Sequence, residues 1–172
     1  MESSSIARFA TSREWARAEH AIELGAHLVS QRDGYTHHGI YVGHGQVIHY
    51  GGFHGSAVRR PIEYVALHRF AQGSGISVRA EPDAAYSGAD VVERARSRLG
   101  EDRYRLLTNN CEHFCTWCLL GRGRSDQVRR CLKNPWEGVK TVVALIRAMR
   151  ALHNREHRVH QDLRWAPLSA AH

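Results

Sequence analysis

Apolar residues recur along this chain in two distinct rhythms. A helical stripe of Trp15, Ala18 and Ile22 follows the cap residue Ser12 and is stopped by Gly25, which predicts a helix over about 12–24. Ala26–Ser30 then reads as a short strand, with turn chemistry in Gln31-Arg32-Asp33-Gly34. The period changes to two in Gly39-Ile40-Tyr41-Val42 and Val47-Ile48-His49-Tyr50, which flank Gly43-His44-Gly45 and predict a β-hairpin. Short strands are expected around 57–60, 64–69, 76–79 and 103–107. The helical period returns three times. Val92, Ala95 and Leu99 follow the cap Ser87 and end at Gly100; Phe114, Trp117, Leu119 and Leu120 follow the caps Asn109 and Asn110; Val139, Val143, Ile146 and Met149 form one face of 136–153. Ser125 caps a further short helix, and 1–11 and 154–172 read as loose ends. The pattern divides the chain into an N-terminal helical extension (1–23), a central α+β domain (24–132) and a basic amphipathic helix with a loose tail (133–172).

Hairpin register decides which side chains can meet. Alternation puts Tyr35, His37, Gly39 and Tyr41 on one face of their strand and His38 and Ile40 on the other. A two-residue loop at 44–45 would pair Ile40 with His49, on the wrong face for His37. A three-residue loop at 43–45 pairs Gly39 with His49 and sets His49 diagonally across from His37. The odd-length loop, or a bulge with the same effect, is the prediction.

Composition sharpens this picture in a few respects. With 172 residues, 42% hydrophobic and 24% charged, the chain is long enough and apolar enough for one globular domain. A net charge of +7, thickening toward the C-terminus, admits anionic partners: an acidic membrane surface, an acidic substrate or nucleic acid. Nucleic acid is set aside, because no aromatic-interleaved basic motif or helix-turn-helix pattern accompanies the charge. No secretory signal is visible at Met1-Glu2-Ser3-Ser4-Ser5, and the longest apolar run, 142–146, is too short to span a bilayer. The four cysteines at 111, 115, 118 and 131 cluster in one quarter of the chain, unlike a disulfide framework, so a reducing cytoplasm fits best.

Candidate chemistry centres on Thr108-Asn109-Asn110-Cys111-Glu112-His113-Phe114. Cys111 falls where a helix begins, where the macrodipole and free N–H groups favour a thiolate. A base is available upstream in His37 and His49, so the residues point to nucleophilic catalysis by a Cys/His pair. Cys115 and Cys118, at i+4 and i+7 from Cys111, read as a core stripe rather than metal ligands. The spacing Cys111-x3-Cys115-x2-Cys118 resembles a cluster loop, but the 61 residues downstream of Cys111 cannot build the barrel that such a loop serves. No cofactor or metal is called for. His113 and Glu112 read as structural, Glu112 suiting a helix N-terminus.

Three stretches in order resemble the lecithin:retinol acyltransferase (LRAT) family, and within it the H-Ras-like suppressor phospholipase/acyltransferases. These are His37-His38-Gly39-Ile40-Tyr41-Val42-Gly43, with His49 twelve positions after His37; Asn110-Cys111-Glu112-His113-Phe114; and Gly123-Arg124-Ser125-Asp126-Gln127-Val128. The resemblance covers roughly residues 24–130. It implies an α+β, circularly permuted papain-like fold, with an antiparallel sheet packed on a Cys-bearing helix. It also implies a site of Cys111 as nucleophile, His37 as base and His49 as the polar group orienting His37. For the oxyanion, the residues themselves offer the Cys111 N–H at the helix start, with Tyr35 on the His37 face as a second candidate. The expected activity is that of a thiol acyltransferase/hydrolase, phospholipase A-like, acting on acyl esters such as phospholipids. The mammalian phospholipase members carry a C-terminal apolar anchor; the basic stretch 136–153 stands in that position here and suits peripheral contact with an anionic membrane. The rival readings are a papain-like cysteine peptidase or amidase, and a non-catalytic adaptor domain with a vestigial site.

Overall fold

The computed structural model describes residues 20–32, 34–52, 60–134, 136, 138–140 and 143. Among these residues the strands β1 (His27–Arg32), β2 (Tyr35–Tyr41), β3 (Gln46–Gly52), β4 (Arg60–Ala66) and β5 (Ser77–Arg79) form one antiparallel sheet in the order β4-β3-β2-β1-β5. Helices α1 (Leu67–Ala71), α2 (Gly88–Ser97), α3 (Cys111–Leu120) and α4 (Asp126–Lys133) accompany it. The domain is therefore α+β.

The hairpin closes through a three-residue loop. Val42 donates to the Gln46 carbonyl at 3.0 Å, and Gly43, His44 and Gly45 all hold positive φ, of 85°, 51° and 64°. The flanking glycines adopt this left-handed backbone without a Cβ clash, and histidine is among the residues that tolerate it. Gly39 consequently pairs with His49, the predicted register.

Alternation along β2 and β3 divides the core in two. Ile40, Val42, Ile48 and Tyr50 pack with Val91, Val92 and Ala95 of α2 and with Cys111, Phe114, Cys115, Cys118 and Leu119 of α3. The α3 set recurs at i, i+3, i+4, i+7 and i+8, a complete helical stripe, and Cys115 and Cys118 are fully buried within it. On the other face Leu28, Tyr41 and Val47 pack with Leu67, Phe70 and Ala71 of α1. Gly39 permits that contact: a Cβ there would lie 2.5 Å from Val47 Cγ1 and 2.8 Å from Phe70 Cε2.

Several local expectations are corrected. The strand expected over 64–69 ends at Ala66, and α1 begins at Leu67, because Leu67, Phe70 and Ala71 are buried at helical spacing. The strand expected at 103–107 is only an isolated bridge between Arg105 and Asn109. Leu99 lies beyond α2 and is 37% exposed, so Val91 takes the place expected for it in the core. β1 extends through Arg32 because Gln31 and Arg32 pair with Thr36 and Tyr35. The first predicted helix is described only from His20 and ends at Ala21, with Gly25 at φ +81°. Residues 12–19 and 57–59 lie outside the described residues. Those positions of 136–153 that are described (136, 138–140 and 143) are helical.

Candidate active site

The start of α3 is built by Asn110. Its side-chain oxygen accepts from the His113 backbone N–H at 3.0 Å, and the His113 ring returns to Asn110, completing a capping box. His113 is thereby structural. Capping places Cys111 at N1, buried, with its sulfur facing backbone N–H groups of His38, Glu112 and Cys111 itself.

The His38 contact depends on how the sheet splits. β2 and β3 pair only over Gly39–Tyr41 and Val47–His49. Upstream, residues 35–38 pair with β1, while residues 50–52 belong to the β3–β4 pairing. The sulfur meets the His38 N–H where the two strands part, beside the peptide that joins His37 to His38.

Burial changes the charge expected on that sulfur. Helix starts favour a thiolate, and backbone N–H groups do act in that direction, yet desolvation outweighs them and pushes Cys111 up to about 11. The resting group is a thiol, which corrects the sequence-based expectation. Iodoacetamide modification, read at Cys111 by peptide mapping, is expected to accelerate about tenfold per pH unit up to pH 9 without a plateau. A plateau below pH 8 would contradict this assignment.

On the α1 face the two predicted histidines meet: His37 Nε2 lies 2.8 Å from His49 Nδ1. Phe70 packs against both rings, with centroids 5.2 Å and 6.0 Å away. The pair lines a cavity of about 590 Å³ whose wall includes Arg60, Glu63, His68 and Arg69. The contact with His49 is made through His37 Nε2 and orients the His37 ring. Tyr35 is partly buried, and burial raises its phenol.

A second polar chain lies on the α3 face. Glu81 Oε1 contacts His27 Nδ1 at 3.0 Å, His27 Nε2 contacts His38 Nδ1 at 2.9 Å, and His38 Nε2 contacts Thr36 Oγ1 at 2.9 Å. Burial, then the neighbouring His27, pulls His38 down to about 3; burial likewise lowers His27, against the pull of Glu81. Both rings are neutral in the folded chain at pH 7. Their folded values lie below the ordinary 6.5, so the unfolded chain binds more protons once pH falls through that value. Stability is then lost below about pH 6.5, at up to about 1.4 kcal/mol per pH unit for each ring. Thermal midpoints are expected to drop between pH 7 and 5, with a shallower slope in His38→Phe. An unchanged slope in that variant would refute the assignment.

Glu112 is more than a helix-start acid. It is buried and receives Arg79 at 2.7 Å, the Gln127 N–H at 3.1 Å and the Ser125 hydroxyl. Burial works against its charge, but the His38 ring and these donors hold the carboxyl well below the usual range. It thereby ties β5 and the start of α4 to the start of α3. Sequence reading missed Glu63, His27, Glu81 and this role of Glu112, and no local motif marks any of them.

Among the described residues, no group of three or more His, Cys, Asp or Glu is placed to hold a metal ion. Nor is any helix among them long and apolar enough to cross a membrane.

Fold and site define an α+β domain in which a cysteine at a helix tip meets a sheet bearing paired histidines. A family model described as lecithin retinol acyltransferase matches residues 20–124, and the chain belongs to that family. Its relatives include Phospholipase A and acyltransferase 2 of Homo sapiens, 31% identical over 121 residues, or 61% of this chain and 75% of that one. Phospholipase A and acyltransferase 3 of Homo sapiens is 32% identical over 111 residues, 55% of this chain and 68% of that one. Lecithin retinol acyltransferase of Bos taurus is 39% identical over 69 residues, 38% of this chain and 30% of that one.

Proposed function

We propose that this protein is a thiol-dependent acyltransferase/hydrolase of phospholipase A type, working through an acyl thioester on Cys111 in a permuted papain-like arrangement. The observation that carries the reading is the Cys111 sulfur lying against the His37–His38 peptide, while the ring of His37 is fixed by His49 at 2.8 Å. The names of its relatives, which include phospholipase A and acyltransferase, support the reaction class.

Because the resting sulfur is a thiol, His37 acts as general base at the moment of attack. Nδ1 takes the thiol proton as sulfur adds to the ester carbonyl. The Cys111 and Glu112 N–H groups at the open start of α3 receive the developing oxyanion. His37 then returns the proton to the leaving oxygen as the carbon–oxygen bond breaks, leaving the thioester. Water or an acceptor amine or alcohol, deprotonated by His37, releases the acyl group and regenerates the thiol. The cavity beside the histidines offers Arg60 and Arg69 to an anionic headgroup such as the phosphate of a phospholipid.

Incubation with phosphatidylcholine followed by intact-mass measurement tests the reading. Expected is a gain of one acyl chain, removed by hydroxylamine and absent in Cys111→Ala. Cleavage of peptides with no lipid-derived adduct would favour the amidase alternative, and inertness toward both substrates would favour the adaptor.

A further inference from the structure

We propose that Glu63 is a fourth member of this site, a positioning residue that holds His49, and through it His37, in the tautomer able to accept the Cys111 proton. The inference rests on the acyl-transfer reading above and extends its relay by one residue.

The direction of the chain follows from the ring contacts. His37 presents Nε2 to His49 Nδ1 at 2.8 Å, and in the acyl-transfer reading its base atom is Nδ1. For Nδ1 to be an open base, the His37 proton must sit on Nε2 and be donated to His49 Nδ1. His49 Nδ1 is then an acceptor, and the His49 proton must sit on Nε2. That atom faces Glu63 Oε1 at 3.7 Å. An ionised carboxylate is acceptor-only, so it favours this arrangement and disfavours the reversed one. At 3.7 Å the contact is electrostatic in the resting protein; catalytic contacts of this kind commonly tighten when substrate binds.

The backbone is arranged to keep Glu63 there. His49 and Glu63 are direct partners across β3 and β4, so their side chains share a face. Glu63 Oε2 accepts from Arg60 at 2.9 Å, which fixes the carboxylate plane and leaves Oε1 toward the imidazole. Gly51 makes the room: a Cβ there would lie 2.6 Å from Arg60 Cβ and 3.0 Å from Glu63 Oε1. Any side chain at 51 would press on the Arg60–Glu63 pair.

During the reaction His37 becomes an imidazolium. The His49 lone pair meets it directly, and the Glu63 charge stabilises the pair through His49 without taking up the proton. Among the described residues, the other charged or titratable groups around the histidines are Arg60 of β4, His68 and Arg69 of α1, and Tyr64, all on the cavity wall, with Cys111 of α3 at the strand split and Arg32 of β1 reaching the α1 carbonyls. Among these groups Glu63 is the carboxylate.

Glu63→Gln and Glu63→Asp test the proposal in the full-length chain. With Glu63→Gln, kcat is expected to fall about tenfold with KM within about twofold, an effect typical of partners that orient a working histidine. Loss of the negative charge makes the imidazolium harder to form. The base therefore stays unprotonated to lower pH, and the acidic limb of the kcat/KM profile moves down. Glu63→Asp should recover part of kcat and return the limb toward its wild-type position. A purely structural role would lower folded content and leave the limb in place. Nitrogen-15 spectra of the resting wild-type protein provide a readout independent of turnover: both His37 and His49 should carry their proton on Nε2. Wild-type kcat and limb in Glu63→Gln, or a His49 proton on Nδ1, overturns the proposal while leaving the acyl-transfer reading intact. If the wild-type protein acylates no ester, that reading fails, and the tautomer of His49 still decides the role of Glu63.

Discussion

Cys111→Ala is expected to remove acyl turnover almost completely, by about 10⁴-fold or more, in a chain that still folds. The sulfur is the protein atom that bonds to substrate carbon in the proposed mechanism, and alanine leaves nothing to attack with. The structural effect is far smaller. The site loses one sulfur atom from the α3 stripe and an acceptor for the His38 N–H, a cost of about 1–3 kcal/mol for a buried donor left unpaired. Cys111→Ser, close in shape and still an acceptor, should keep more stability and restore little activity. His37→Ala should resemble Cys111→Ala, and the double variant should be scarcely worse than either single change, because the two groups act as a unit. Initial rates on a phospholipid ester, with folded content checked by circular dichroism, measure this. More than about one per cent of wild-type kcat in Cys111→Ala would remove the nucleophile from the mechanism.

The largest expected loss of stability comes from Glu112→Leu, at about 3–5 kcal/mol by urea unfolding, the usual range for breaking one side of a buried ion pair. The variant takes a buried partner from Arg79 and leaves the Ser125 hydroxyl and Gln127 N–H without their acceptor. Arg79 retains Asp126 at 2.6 Å and Glu81 at 3.0 Å, which holds the loss toward the lower end. Since a domain this size is stable by only about 5–15 kcal/mol, the variant should sit near the edge of folding. Arg79→Met combined with Glu112→Leu should cost less than the sum of the two, because their shared contact is lost only once, while Glu81 and Asp126 lose Arg79 in both the single Arg79 variant and the double. A Glu112→Leu loss below about 1 kcal/mol would mean that the cluster contributes little net stability.

Much of the frame was legible because the signals were local. The Asn110 and Ser125 caps, the helical stripe from Cys111 through Leu119 and the loop at 43–45 are each set by a few neighbouring residues and their backbone preferences. Register followed from that loop, and with it the meeting of His37 and His49. The reading went wrong where a short apolar stretch suited two periods. Leu67-His68-Arg69-Phe70-Ala71 can alternate as a strand or turn as a helix, and packing of Phe70 over Gly39 resolves it. At 103–107 apolar residues suggested a strand, but among the described residues the segment makes only the isolated Arg105–Asn109 bridge.

What chain-local chemistry could not supply is everything that requires two distant segments to be placed together. His27, Glu81, Glu63 and the ties of Glu112 come from strands and loops tens of residues apart, and no spacing rule links them. The charge state of Cys111 is the clearest case. Its position at a helix tip argues for a thiolate, and that argument is sound for an exposed tip. Packing beneath the sheet removes the water that would solvate the ion, and desolvation, a property of the assembled domain alone, outweighs the backbone donors and leaves a thiol, for which the proposed mechanism calls on His37 as base.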